Sequence, residues 1–130
     1  MIKFYEEESE IIPEFAVILT KMNNKWLLCK QKQKDYYEFP GGKKEKNESI
    51  QNTAKRELYE ETGAINFELK QISLYSMEED GKIKYGMLFF AEVYDVEKLP
   101  NYEMEKIFLF EKLPSNLRYP EIYKELLKMV

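Results

Sequence analysis

The 130-residue chain carries 20 basic and 24 acidic side chains, no histidine and one cysteine, for a formal net charge of −4. That length fits a single domain, 1–130, and a hydrophobic content of 44% argues for a packed core rather than disorder. The composition excludes an intramolecular disulfide and a Cys/His zinc cluster, and it leaves no basic footprint for stable binding to duplex nucleic acid.

The N-terminal MIKFYEEESE is acidic and lacks the apolar core of a signal peptide, and no apolar run reaches the length of a membrane span. The expected compartment is the cytoplasm, with no membrane partner; the oligomeric state is left open. PEFAVILT (13–20) reads as a buried strand, Asn23-Asn24 as a turn and KWLLCKQ (25–31) as the returning strand of a hairpin. Cys29 fits a small buried strand residue. After a polar connection, Tyr36, Tyr37 and Phe39 read as a short aromatic strand ended by the breaker Pro40-Gly41-Gly42.

A helix follows with both ends marked: Ser49 suits the N-cap and Gly63 the position after the last turn. FELKQISLYSM (67–77) and KIKYGMLFFAEVY (82–94) flank Asp80-Gly81 and read as a second hairpin. KIFLFEKL (106–113) is a further strand. Ile122, Leu126, Leu127 and Val130 have the spacing of an amphipathic helix beginning near Pro120. Strands around two helices imply a layered α/β or α+β domain.

Glu48, Glu57, Glu60 and Glu61 place four carboxylates within fourteen residues behind the Gly-Gly pair. On a helical wheel with Ile50 at zero, Ala54 and Leu58 define an apolar stripe, while Gln51, Asn52, Lys55, Tyr59 and Thr62 lie on the opposite, solvent side. Glu57 and Glu61 fall at about 340° and about 20°, and Glu60 at about 280°, along one edge of the apolar stripe. A solvated face would have put them beside Lys55 and Tyr59. Like charges at these spacings repel, and a hard divalent cation relieves that repulsion. Gly41-Gly42 allows close backbone approach, and Lys43 beside it suits a phosphate oxygen.

Gly42, Glu48, Arg56-Glu57-Leu58, Glu60-Glu61 and Gly63, at these spacings, match the Nudix box. Leaving out Leu58, the seven remaining identities arise by chance at a given start with odds on the order of 10⁻⁸. Ala64 departs from the larger aliphatic residue usual there. YEFPGGK, EETGA and LPSNL extend the likeness, and within the family the chain resembles the MutT-type 8-oxo-dGTP diphosphatases of the Bacillus-type branch.

The resemblance implies an α/β/α sandwich with a mixed central sheet and a Mg²⁺ cofactor, with Mn²⁺ as an alternative. It implies Glu57, Glu60 and Glu61 as metal-site carboxylates, the Gly41 carbonyl as a further ligand, Glu48 in support and Arg56 steadying the glutamates. A last glutamate, Glu103 or Glu105, would join as ligand or base. Tyr37 and Phe39 are candidates to wall the base, although aromatic strand residues are more often core, and Asn116 and Arg118 are candidates for the purine-selecting position. The family arginine near the end of the second strand is replaced by Lys30 or Gln31.

The expected activity is Mg²⁺-dependent hydrolysis of an oxidised purine triphosphate, with a small nucleotide as partner. The alternatives are another diphosphate-linked substrate, such as an RNA 5′-triphosphate end, a dinucleoside polyphosphate or ADP-ribose, or a catalytically silent nucleotide-binding module.

Overall fold

The computed structural model describes residues 2–6, 10–100 and 104–130, with side chains in the last stretch from residue 106 onward. The elements are β1 (Ile2–Tyr5), β2 (Phe15–Met22), β3 (Lys25–Gln31), β4 (Gly41–Lys43), α1 (Ile50–Thr62), β5 (Ala64–Glu79), β6 (Lys82–Val96), β7 (Met104–Phe110) and α2 (Pro120–Leu127). The strands form one sheet in the order β1-β5-β6-β2-β3-β7, with β4 paired to β2. β2 runs parallel to β6, and the remaining pairs are antiparallel, so the sheet is mixed.

Strand alternation sends one set of side chains to each helix. Ala16 and Ile18 of β2, Leu27 of β3, and Phe89, Ala91 and Val93 of β6 pack with Ile50, Ala54 and Leu58 of α1. Leu19, Leu28, Tyr75 and Leu88 face the other way, with Phe39 and with Tyr123 and Leu126 of α2. The result is the expected α/β/α sandwich with a mixed central sheet.

Both hairpins turn through two residues of positive φ, Asn23 (54°) with Asn24 (62°) and Asp80 (52°) with Gly81 (76°). That geometry matches the twist of the flanking strands. α1 begins where the Ser49 hydroxyl accepts from the Asn52 N–H (3.1 Å) and ends at Gly63, φ 78°.

Four expectations change. Residues 36–39 form no strand, because Glu38 bridges to Cys29 on one side and Tyr37 to Leu117 on the other. Gly41-Gly42 does not end a strand but begins one, β4, whose glycines serve close approach: a Cβ on Gly41 would meet the Ala16 carbonyl of β2. Thr62, placed on the solvent side of the wheel, is 1% exposed, and its hydroxyl bonds back to the Leu58 carbonyl at 2.6 Å. β1 has no counterpart among the expected strands; it pairs with the far end of β5, where Tyr5 Oη lies 3.0 Å from Ser76 Oγ.

Among the described residues no helix is long and apolar enough to cross a membrane.

The caps of α1 hold the glutamate-bearing helix in register. Gly63→Ala should lose about 1–2 kcal/mol from the left-handed backbone alone, with a further loss because the new Cβ meets the Glu97 carbonyl. Ser49→Ala should lose about 1 kcal/mol. Denaturant midpoints of the two variants check this order.

Candidate active site

Arg56 organises the site from the second turn of α1. Its Nε donates to Glu48 Oε2 at 2.8 Å, and Nη2 to Glu48 Oε1 and the Lys43 carbonyl, both at 3.0 Å. Nη1 reaches Glu57 at 2.5 Å and Glu60 at 3.4 Å, with Glu45 at 3.6 Å. Glu48 is thus a bidentate partner of the guanidinium and also accepts from the Thr53 hydroxyl (2.7 Å) and the Glu45 N–H (3.1 Å). These hydrogen bonds, Arg56 first, pull its carboxyl down to about 2. The structure places Glu48 as the anchor of Arg56, with both its oxygens in use.

Glu57 and Glu61 lie deeper. The Glu57 side chain is 13% exposed and Glu61 is 5% exposed, whereas Glu60 reaches solvent with 42% of its side chain. Burial pushes Glu57 up to about 7 against the pull of Arg56, with Glu60 adding repulsion. Burial pushes Glu61 up to about 9; the Gly41 N–H, donating at 2.7 Å, works the other way, and Glu57, Glu38 and Glu60 raise it further. Gly42 packs so closely that a Cβ there would run into the Glu57 carboxylate. A buried and a partly buried carboxylate, with one guanidinium touching only the second, form a donor set of hard oxygens short of positive charge, which fits a divalent cation such as Mg²⁺.

The structure adds Glu38, which the sequence did not single out, and sets it beside Cys29, the small buried strand residue expected there. Cys29, Glu38 and Glu61, all buried, each offer a ligand atom within 4.8 Å of the others. The Cys29 thiol donates to the Glu38 carbonyl at 3.4 Å, and burial followed by the Glu61 and Glu38 charges raises it well above its ordinary value. A protonated thiol is a poor partner for Mg²⁺ and both oxygens of Glu38 accept from Arg118, so within this cluster Glu61 offers the hard oxygens that suit a cation. Glu38 carried one sequence signal, its place immediately before Phe39-Pro40-Gly41-Gly42.

A cleft of about 740 Å³ opens onto the site, bordered by Glu38, Gly41, Gly42, Lys43, Arg118 and Tyr119 among others. Lys43 and Arg118 border this cleft with Glu38, whereas Glu57, Glu60 and Glu61 lie behind its lining and meet it through Gly41 and Gly42. Phe39 borders the cleft but is 3% exposed, its ring wedged edge-on between Trp26 and Tyr123. The Tyr37 ring packs against Phe108 and Phe110 at 4.9 and 5.0 Å, away from the cleft lining. Asn116 gives its side-chain N–H to the Asp35 carbonyl (2.7 Å) and its own carbonyl to the Tyr37 N–H (2.9 Å). These three act in packing and loop closure. Glu103 lies outside the described residues, as does the Glu105 side chain.

A sandwich with a mixed sheet, a glutamate-edged helix and a glycine strand set against its carboxylates defines a Nudix-type hydrolase. A family model for the NUDIX domain matches residues 11–128, and the chain belongs to the Nudix family of pyrophosphohydrolases. It is 36% identical over 106 residues to the Bacillus subtilis (strain 168) protein named "Putative 8-oxo-dGTP diphosphatase YtkD", a match covering 81% of this chain and 66% of the relative's length. The Bacillus subtilis pyrophosphohydrolase BsRppH superposes with a TM-score of 0.83 at 27% identity, over 98% of this chain and 88% of its own. A MutT NUDIX hydrolase from Burkholderia pseudomallei shares the fold, with a TM-score of 0.71 at 19% identity over 91% of this chain and 98% of its own.

The raised carboxyls give a pH signature. Their protonated forms are favoured by the fold, so the stability they confer is present below the ordinary value of 4.5 and is lost as pH rises through about 7 and then about 9. The metal-free protein should melt lower at pH 8 than at pH 6, and added Mg²⁺ should restore several degrees. Replacing Glu57 and Glu61 together by Gln should raise the metal-free melting temperature at pH 8, flatten the pH dependence and abolish the Mg²⁺ response. Thermal melts of both proteins over that range, with and without Mg²⁺, check it.

Proposed function

We propose that this protein is a Mg²⁺-dependent nucleoside triphosphate diphosphatase that converts 8-oxo-dGTP, or a related purine triphosphate, to the monophosphate and pyrophosphate. The observation that carries the reading is the pair Glu61, buried, and Glu57, partly buried, at the inner edge of α1 and set against Gly41-Gly42 beside the cleft. The curated relative's name supplies the substrate class.

In this reading Glu57, Glu60 and Glu61, with the Gly41 carbonyl, hold the cation. Bound Mg²⁺ neutralises phosphate oxygens and lowers the pKa of an attacking water. Arg56 keeps the glutamates apart and oriented, and Glu48 keeps Arg56 in place. Lys43, exposed on β4 at the cleft wall, offers its ammonium to the phosphate chain. A carboxylate of the cluster takes the proton from the attacking water, and no covalent intermediate is required. A further glutamate, Glu103 or Glu105 of β7, completes the carboxylate set. Arg118, which borders the same cleft, would also face the nucleotide.

The superposition on BsRppH supports a second reading, a phosphoanhydride carried by another nucleoside diphosphate-linked compound, including an RNA 5′-triphosphate end.

With Mg²⁺, 8-oxo-dGTP should give one monophosphate and one pyrophosphate, at a higher kcat/KM than dGTP. Two separate orthophosphates, or a ratio near one, would refute the assignment. Glu61→Gln should keep the fold and lower kcat by about 10²–10⁴-fold, read by pyrophosphate release.

A further inference from the structure

The sheet face that packs on α2 is longer than the helix. α2 has eight residues, about 12 Å of axis, whereas β5 and β6 run for 16 and 15 residues. The catalytic cleft is bordered by the first half of α2, at Ile122 and Tyr123. Beside the other end, at Leu127 and Met129, a second hollow of about 840 Å³ opens over the same face. None of the site's carboxylates borders it.

Cations and rings alternate along this hollow. In the sheet order β5-β6-β2-β3-β7 it is lined by Lys70, Phe90, Lys21 and Trp26, with Lys112 just past the end of β7. Lys70 is the ladder partner of Phe90 and Lys21 that of Trp26, so each cation shares a face with the ring beside it. Lys21 Nζ stands 4.6 Å from the Trp26 ring centroid. Phe90 pairs with Leu19, two residues before Lys21, so the row runs diagonally across the strands. Strands lie about 5 Å apart, which sets successive lysines about 10 Å apart across the sheet with one ring between each two. Among the described residues none of the three lysines forms an ion pair, not even Lys21 with its other ladder partner, Glu92. Glu111 is the one carboxylate among the described lining residues, so three positive charges face one negative in a chain whose net charge is −4.

We propose that this hollow binds single-stranded nucleic acid, separately from the catalytic cleft. A row of cations with rings between them matches a linear polyanion that carries a flat group at each step: the ammoniums follow the phosphates and the rings take the bases. A duplex has its bases already stacked on one another and offers the rings nothing. A free nucleotide is too short to span the row, and an acidic peptide satisfies the ammoniums without a flat group at each step. The proposal does not rest on the diphosphatase reading.

Trp26 is the chain's only tryptophan, so its fluorescence reports on this hollow directly. Titrating the metal-free wild type with octathymidylate that ends in a 5′-hydroxyl should quench that emission saturably. The slope of log affinity against log salt should be about −2, from about −0.7 for each of three phosphates neutralised. Lys21→Ala, Lys70→Ala and Lys112→Ala, read by anisotropy of the labelled strand, should each weaken binding at least threefold at low salt and flatten the slope by about 0.7. Phe90→Leu keeps an apolar side chain and removes the ring; it should weaken binding at least fivefold and leave the slope unchanged. All four variants should hydrolyse 8-oxo-dGTP with Mg²⁺ at the wild-type rate.

Unchanged Trp26 emission would overturn the proposal, and so would a salt slope that survives in the triple variant Lys21→Ala/Lys70→Ala/Lys112→Ala. Equal binding of thymidine monophosphate, of a DNA duplex of the same length or of an octaglutamate peptide would also refute it. Loss of 8-oxo-dGTP hydrolysis in the lysine variants would make the hollow part of the catalytic site and end its claim to be separate. Strand binding by a wild type that leaves 8-oxo-dGTP intact would support the hollow and refute the diphosphatase reading.

Discussion

Burying Glu57 and Glu61 at the inner edge of α1 is the constraint around which the site is built. A carboxylate taken from water without a partner costs several kcal/mol, and here two stand on adjacent turns facing the same sheet. Arg56 offsets part of that cost by touching Glu57 with the same nitrogen that reaches Glu60, while its other nitrogens are locked by Glu48. Gly41 offsets another part, giving its N–H to Glu61. What remains uncompensated appears in the raised carboxyls of both glutamates. Positive charge from outside the protein has a place prepared for it.

The rest of the fold brings the required backbone to those carboxylates. β4 is only three residues long, but its pairing with β2 fixes Gly41 and Gly42 against the sheet at the height of Glu57 and Glu61. The helix cannot slide to compensate, since Ser49 and Gly63 set its ends. Thr53 ties those two requirements together: its hydroxyl lies 2.7 Å from Glu48 and 3.0 Å from the Ser49 carbonyl, so the helix start and the Arg56 anchor share one side chain. From the other layer, the residues leading into α2 border the cleft beside these glycines.

What could be read in the sequence was local chemistry. α1 was expected between Ser49 and Gly63 because a hydroxyl cap and a left-handed glycine act within one turn of the helix, and the structure gives Ile50–Thr62. β3 was expected over 25–31 and is found at Lys25–Gln31, because two asparagines of positive φ fix where the hairpin returns. The glutamate stripe followed from the wheel, since a helix of known ends has known faces. The failures were contacts between distant segments. Glu38 joins the site only because residues 37–38 bond to β3 on one side and to 116–118 on the other, about 80 positions away. Thr62 went to the wrong face because its hydroxyl satisfies itself on the Leu58 carbonyl, an option that a hydropathy wheel does not contain. The Tyr37 ring is covered by Phe108 and Phe110 of β7, and Phe39 by Trp26 of β3 and Tyr123 of α2, contacts between segments that no local pattern announces.

The same burial couples cation binding to protons. With Glu57 at about 7 and Glu61 at about 9, near neutral pH the oxygens that suit a divalent cation are partly occupied by protons. A cation must displace them, so binding releases protons and strengthens as pH rises, by linkage. Glu48, pulled down to about 2 by Arg56, stays ionised throughout and keeps the guanidinium anchored while its neighbours change charge. The arginine therefore faces one fixed carboxylate and others whose charge varies. It stays in place in either state because its strongest contacts, the bidentate pair to Glu48 and the bond to the Lys43 carbonyl, do not titrate in that range.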